Sequence, residues 1–236
     1  MKSLVLIKLA ASRGLGLVLL MLLFSFSQAR AAGPGPMFAG ETVIVFIGDS
    51  LTQGYGVRAE ESYPELVGEK LRELGYKVKV INGGISGSVT AEADRRLRWY
   101  SKASPRIVVL ALGANDGMKG TPPDVIERNL SKAIDLAQAE KIEVLLAGLK
   151  MFSNLGPDYV RNFEAIFPRL AKQKKVALIP FLLEDVALQK EFNQADMKHP
   201  NAEGHKLIAD RVVRDIEPIL KKLSVEQSSE NLGEKK

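Results

Sequence analysis

The chain predicts a single three-layer α/β/α domain built on a five-stranded parallel sheet. Apolar, β-branched runs recur five times along 236 residues, each followed by a segment of helical periodicity. The runs at 43–47, 107–112 and 144–149 are almost continuously apolar, as expected of strands buried on both faces of a parallel sheet. Composition is that of a globular chain, 46% hydrophobic and 26% charged, and the length suits one domain with a substantial core.

Each element has its own signal. "TVIVFIG" precedes "SYPELVGEKLRELG", where Ser62 is a candidate N-cap, Pro64 falls in the first turn and Gly75 stops the helix. "YKVKVING" alternates polar and apolar residues, as an edge strand does, and precedes "SVTAEADRRLRWYSKA". "RIVVLALG" precedes "TPPDVIERNLSKAIDLAQAE", with Thr121 and Pro122 as N-cap and first helical residue. "IEVLLAGL" precedes "PDYVRNFEAIFPRLAKQ", and "VALIPFLL" precedes the last helix, "NAEGHKLIADRVVRDIEPILKKL". The pattern fits a doubly wound sheet of flavodoxin-like order 2-1-3-4-5, in which ligands bind outside the carboxyl ends of the strands.

The ends of the chain read differently from its middle. Lys2, Lys8 and Arg13 precede the apolar "GLGLVLLMLLFSFS", and Ala29-Arg30-Ala31 offers a small-residue cleavage site. Residues 1–31 therefore read as a signal peptide. The apolar run is shorter than the roughly 20 residues of a spanning helix, so an uncleaved inner-membrane anchor is the lesser alternative. The expected location is periplasmic or secreted, with a soluble mature form. Residues 32–40 read as a flexible segment, 41–223 as the folded α/β domain and 224–236 as a frayed polar tail. The chain has no cysteine, which excludes disulfides and a lipid-modified cysteine. The formal charge of +5 is carried largely by the leader, whose four cations have no acidic counterpart. The remainder is nearly neutral, which argues against nucleic acid as a partner, and nothing implies a stable protein partner.

Four loops fall at the carboxyl edge of the predicted sheet. The first strand delivers Gly48-Asp49-Ser50, and the second ends in "INGGISGSVTA". The third ends in "ALGANDGMKG", and "NQADMKHPNAEGH" follows the fifth. A serine nucleophile needs a base, and the base needs an orienting group. His199 is the natural base, and Asp196, three residues earlier, can fold back onto its ring. The backbone N–H groups of Ser50 and Gly87 and the amide of Asn115 are candidate oxyanion donors. Taken singly, each loop has a plainer reading: a helix cap at Ser50, a tight βα turn at the glycines, a turn at Asn115-Asp116-Gly117, a surface histidine at 199. Their common edge favours the catalytic reading. His205, on the last helix, reads as structural. Two histidines and no cysteine argue against a zinc site, and no cofactor is implied.

"FIGDSLTQGYG", "GGISGSVTA", "LGANDG" and "DMKHPNAEGH" resemble the four blocks of the SGNH hydrolases, the GDSL-type esterases, over about residues 41–220. The resemblance implies Ser50 as nucleophile, Asp196 and His199 as its partners, and Ser50, Gly87 and Asn115 as oxyanion donors. "GANDGMKGTPP", "NLGPDYVRNFEAIFPRLA" and "LIPFLLEDVA" resemble the secreted bacterial arylesterase, thioesterase and lysophospholipase group. It implies a small-molecule or lipid acyl ester or thioester as substrate. Two alternatives use the same edge: a carbohydrate O-deacetylase with the same triad, and a non-catalytic binder of phosphate or nucleotide. Asp116–Pro123 is expected to be a substrate-responsive loop, soft at Gly117 and Gly120, with Met118 and Gly120 as substrate-binding positions.

Overall fold

A computed structural model describes residues 41–151 and 153–233. The leader and flexible segment expected at 1–40 lie outside the described residues. The sheet comprises β1 (Thr42–Gly48), β2 (Val78–Gly84), β3 (Ile107–Ala111), β4 (Glu143–Ala147) and β5 (Ala177–Ile179). All pairs are parallel, and the order is β2-β1-β3-β4-β5. Ile44, Val45, Phe46 and Ile47 of β1 are wholly buried. A strand with no exposed face has no use for alternation, which explains its unbroken apolar run. The alternating strand β2 lies at the edge.

The helices are α1 (Ser50–Gln53), α2 (Tyr63–Glu73), α3 (Ala93–Tyr100), α4 (Ala114–Met118), α5 (Pro123–Ala139), α6 (Pro157–Glu164), α7 (Ile166–Lys174) and α8 (Ala202–Gly233). α2 and α8 pack together on one face of the sheet, and α3, α5 and α7 on the other. Among the described residues, no helix is long and apolar enough to cross a membrane.

Local chemistry shifts several expected boundaries. The single helix expected from Pro157 is two, parted at Ala165. Pro168 has no N–H to give the Glu164 carbonyl, and its ring crowds that carbonyl. The fifth strand stops at Ile179 because Pro180 cannot continue the ladder. α5 begins at Pro123 with Pro122 at the cap, one residue later than Thr121 and Pro122 suggest. α2 ends as expected at Gly75, whose φ of +89° suits glycine.

The Ser62 side chain does not cap α2. Its hydroxyl donates instead to the Ala59 carbonyl at 2.7 Å. The first N–H of α2, on Tyr63, donates to Nδ1 of His205 at 3.2 Å. α8 also overruns its expected end, so 224–233 continues the helix. Leu223 and Ser224 are still buried, and the Ser228 hydroxyl bonds back to the Ser224 carbonyl at 2.8 Å.

Candidate active site

β1 ends at Gly48, and the next residue turns the chain. The Asp49 carboxylate accepts the Leu51 N–H at 3.0 Å and so caps the one-turn helix α1. That leaves the hydroxyl of Ser50, the first residue of α1, free for another partner. It lies 3.0 Å from Nε2 of His199.

His199 is held by a closed loop running from Asn193 to Pro200, which face each other across an antiparallel bridge. Within the loop the Gln194 N–H donates to the His199 carbonyl at 2.8 Å, and the Met197 N–H to the Gln194 carbonyl at 2.9 Å. The Gln194 amide reaches out to the Tyr55 carbonyl at 2.7 Å, tying the loop to the segment after α1. Asp196 folds back inside this frame. One carboxylate oxygen accepts the N–H groups of Lys198 and His199, each at 3.0 Å. The other lies 2.6 Å from Nδ1 of His199. These bonds, first the one to the His199 ring, hold the Asp196 carboxyl well below the usual carboxylate range. With the proton on Nδ1, Nε2 is an acceptor facing Ser50.

The other loops close around the serine. Gly87 has φ +79°, and a side chain there would meet nothing within 4 Å, so its backbone is exposed. Its loop is pinned by Gln53, whose Oε1 accepts both the N–H and the hydroxyl of Ser86, at 2.7 and 2.6 Å. The Asn115 amide, on α4, donates to the Ser88 carbonyl at 3.0 Å and sits 3.5 Å from Asp49. Burial pushes the Asp49 carboxyl up to about 6, against the lowering effect of the Leu51 N–H. Ser50, Gly87, Asn115, Asp196 and His199 thus meet at one edge, as the sequence suggests.

Other contributors are not evident from the motifs. Asp116 reads as part of a plain turn, yet it is buried and accepts the Thr90 N–H at 2.8 Å and the Thr90 hydroxyl at 2.7 Å. It therefore clamps the glycine loop onto α4. Arg96 is buried beneath the ends of β1 and β2. Its signal was present: it shares the buried face of α3 with Ala93 and Leu97, at helical spacing.

A cavity of about 320 Å³ opens from Ser50, Asn115 and His199 and runs along Met118, Leu149 and Met151 to Phe181, Leu183 and Leu188. Its lining is mostly apolar, with Lys150 set over the Phe181 ring at 4.9 Å. Met118 lines it; Gly120 does not. Nor is Asp116–Pro123 soft at both ends. Gly117 lies inside α4, where an added Cβ would collide with Met151. The N–H groups of Gly120 and Thr121 are bonded back to Gly117 and Asp116, and the Tyr159 hydroxyl donates to the Thr121 carbonyl at 2.7 Å. Among the described residues, no three His, Cys, Asp or Glu side chains cluster so as to hold a metal ion.

Comparison with known proteins shows which chains this one resembles. Residues 46–207 match the GDSL-like Lipase/Acylhydrolase family. The chain is 39% identical over 179 residues to an arylesterase of Vibrio mimicus, covering 75% of this chain and 89% of that one. It is 34% identical over 183 residues to the thioesterase 1/protease 1/lysophospholipase L1 of Escherichia coli (strain K12), covering 77% and 86%. The psychrotrophic esterase EstA of Pseudoalteromonas sp., solved inhibited by monoethylphosphonate, aligns with TM-score 0.72 and 30% identity, over 76% of this chain and 99% of that one. With the family match spanning most of the chain, and relatives matched over most of their own length, the chain belongs to the GDSL-like lipase/acylhydrolase family.

Proposed function

We propose that the protein is a serine esterase that hydrolyses acyl esters or thioesters through an acyl-enzyme on Ser50. The observation that carries this reading is the continuous chain Asp196–His199–Ser50, with links of 2.6 and 3.0 Å. Ser50 Oγ attacks the acyl carbon, and its proton passes to Nε2 of His199. The charge that develops on the carbonyl oxygen is met by the N–H groups of Ser50 and Gly87 and by the Asn115 amide. That amide has two hydrogens: one is engaged by the Ser88 carbonyl at 3.0 Å, and the other has only the long 3.5 Å contact to Asp49, which an oxyanion can displace. Collapse breaks the bond to the leaving group, which takes the proton from His199. Water then attacks the acyl-enzyme, gives its proton to His199, and Ser50 is released with the carboxylic acid. Asp196 holds the ring and stabilises its cationic form.

The apolar cavity suits the acyl or aryl part of the substrate better than a sugar. Arylesterase, thioesterase and lysophospholipase activities, named for the relatives, are the substrate classes to try. The leader-like sequence of residues 1–31 supports a periplasmic or secreted location for a soluble mature enzyme.

A fluorophosphonate probe tests the reading, with the labelled residue located by mass spectrometry. Labelling at Ser50, lost in Ser50→Ala together with hydrolysis of p-nitrophenyl esters, is expected. Labelling at Ser86 or Ser88 would sink the assignment.

A further inference from the structure

Arg96 takes no part in the chemistry above, yet its position is costly. It is 4% exposed, its Nε–H finds no acceptor, and no carboxylate of the described residues bonds to it. A buried cation without a paired anion is unfavourable, and a protein retains one only where its donors hold something. Here the two ends of the guanidinium grip two backbone carbonyls. One terminal nitrogen donates to the Gly48 carbonyl at 2.9 Å, and the other donates to the Gly83 carbonyl.

These two carbonyls lie at the carboxyl ends of adjacent strands, where the ladder stops. Gly48 leads directly to Asp49 and Ser50. Gly83 leads through Gly84 to Gly87. The two turns are also interlocked: the Ile85 N–H donates to the Gly48 carbonyl at 3.2 Å. A side chain on Gly84 would lie 2.1 Å from the Gln53 backbone nitrogen. Arg96 is therefore the buried fork on which the nucleophile turn and the glycine turn both rest.

We propose that Arg96 is a positioning residue that sets the separation of the Ser50 and Gly87 N–H groups, and so the fit of the site to the tetrahedral oxyanion. Its planar, two-pronged guanidinium spans two carbonyls at fixed separation; the single ammonium of lysine does not reproduce that spacing. A shift of about 1 Å in donor position can lower a rate by about 10²-fold. The cost falls on the tetrahedral state, in which the oxyanion exists, and spares ground-state binding. The proposal rests on the acyl-transfer reading of Ser50.

The test compares wild type with Arg96→Met and Arg96→Lys. The concentration of competent sites in each is first counted by fluorophosphonate titration. Then kcat and KM for a p-nitrophenyl ester are measured, with Ki for an arylboronic acid, which adds the serine oxygen reversibly to give a tetrahedral boronate. The expected result is a fall in titrated kcat of about 10- to 100-fold in Arg96→Met, with KM within about twofold and Ki raised in parallel with the loss of kcat/KM. Arg96→Lys should fall between. A merely structural role would lower the melting temperature and the number of competent sites, but leave the Ki of those remaining unchanged. Titrated kcat and Ki within about twofold of wild type would overturn the proposal. If Arg96→Met yields no folded protein, Arg96→Lys decides by the same criterion. Absence of wild-type labelling at Ser50 is a different failure: it removes the nucleophile, and the proposal falls with it.

Discussion

The two histidines of the chain lie six residues apart and occupy opposite chemical settings. His199 sits in the closed 193–200 loop, half-buried, with a carboxylate on one nitrogen and a hydroxyl on the other. His205 sits in the first turns of α8, fully buried, stacked on the Tyr63 ring, accepting a backbone N–H and facing no carboxylate within bonding distance. Burial pulls the His205 imidazole down to about 4. With the ring held neutral by burial, its Nδ1 is free to accept the first N–H of α2. The difference teaches what turns an imidazole into a usable base: a carboxylate behind it and enough solvent to tolerate its charge. The same ring without these serves as a helix cap.

The comparison breaks most sharply by deletion. His199→Ala should lower kcat by at least about 10⁴-fold while costing about 1 kcal/mol of stability, read by steady-state kinetics and denaturant unfolding. A fall of less than tenfold would remove His199 as the base. Asp196→Asn should lower kcat by about 10⁴-fold with the fold intact, because the amide favours the wrong tautomer. Circular dichroism together with kinetics checks both halves. Asn115→Ala should lower kcat by about 10²–10³-fold with a smaller change in KM, as for one lost oxyanion donor. A change confined to KM would make Asn115 a substrate contact.

The smallest kinetic effect belongs to the other histidine. His205→Gln should leave kcat within about twofold and cost about 1–3 kcal/mol by weakening the α2 cap. It should also change the pH dependence of stability. Below its ordinary value of 6.5, His205 binds a proton when unfolded but not when folded, so stability is lost as pH falls from 6.5 to about 4. Asp49 acts oppositely. Its buried carboxyl keeps its proton up to about 6, against 3.8 when free, so stability is lost as pH rises between those values. In wild type the two slopes oppose each other between about pH 4 and 6. In His205→Gln the opposing slope is gone, and the melting temperature should fall more steeply across that window as pH rises. Parallel melting curves for the two proteins would show that His205 is not held neutral.

The contrast between the histidines was partly legible in the sequence. Asp196 three residues before His199 marks one, and the helical setting marks the other. What was not legible is the partner of His205, because Tyr63 is 142 residues away and gives only its backbone. The same limit hid the roles of Arg96, Gln53 and Asp116. Each acts on a carbonyl or N–H of a distant loop, and a backbone group carries no letter. The strands were readable because full burial writes itself as unbroken apolar residues. The breaks at Pro168 and Pro180 were marked too, but the surrounding helical and apolar periodicity outweighed them. The extension of α8 had no apolar stripe to announce it, being carried by serine back-bonds and the buried Leu223–Ser224 step.

The bridge that closes 193–200 has a consequence for how the protein becomes active as it folds. Asp196 and His199 find each other locally, three residues apart, within a turn that fastens itself. Ser50 stands 149 residues away. Assembly of the triad therefore needs one long-range contact, between this local pair and the end of β1. Loop closure over such distances is slow relative to local turns. During synthesis the serine emerges early and its activators last. Reactivity toward a phosphonate during refolding should then appear in step with the docking of α8, and serve as a clock for the final stage of folding.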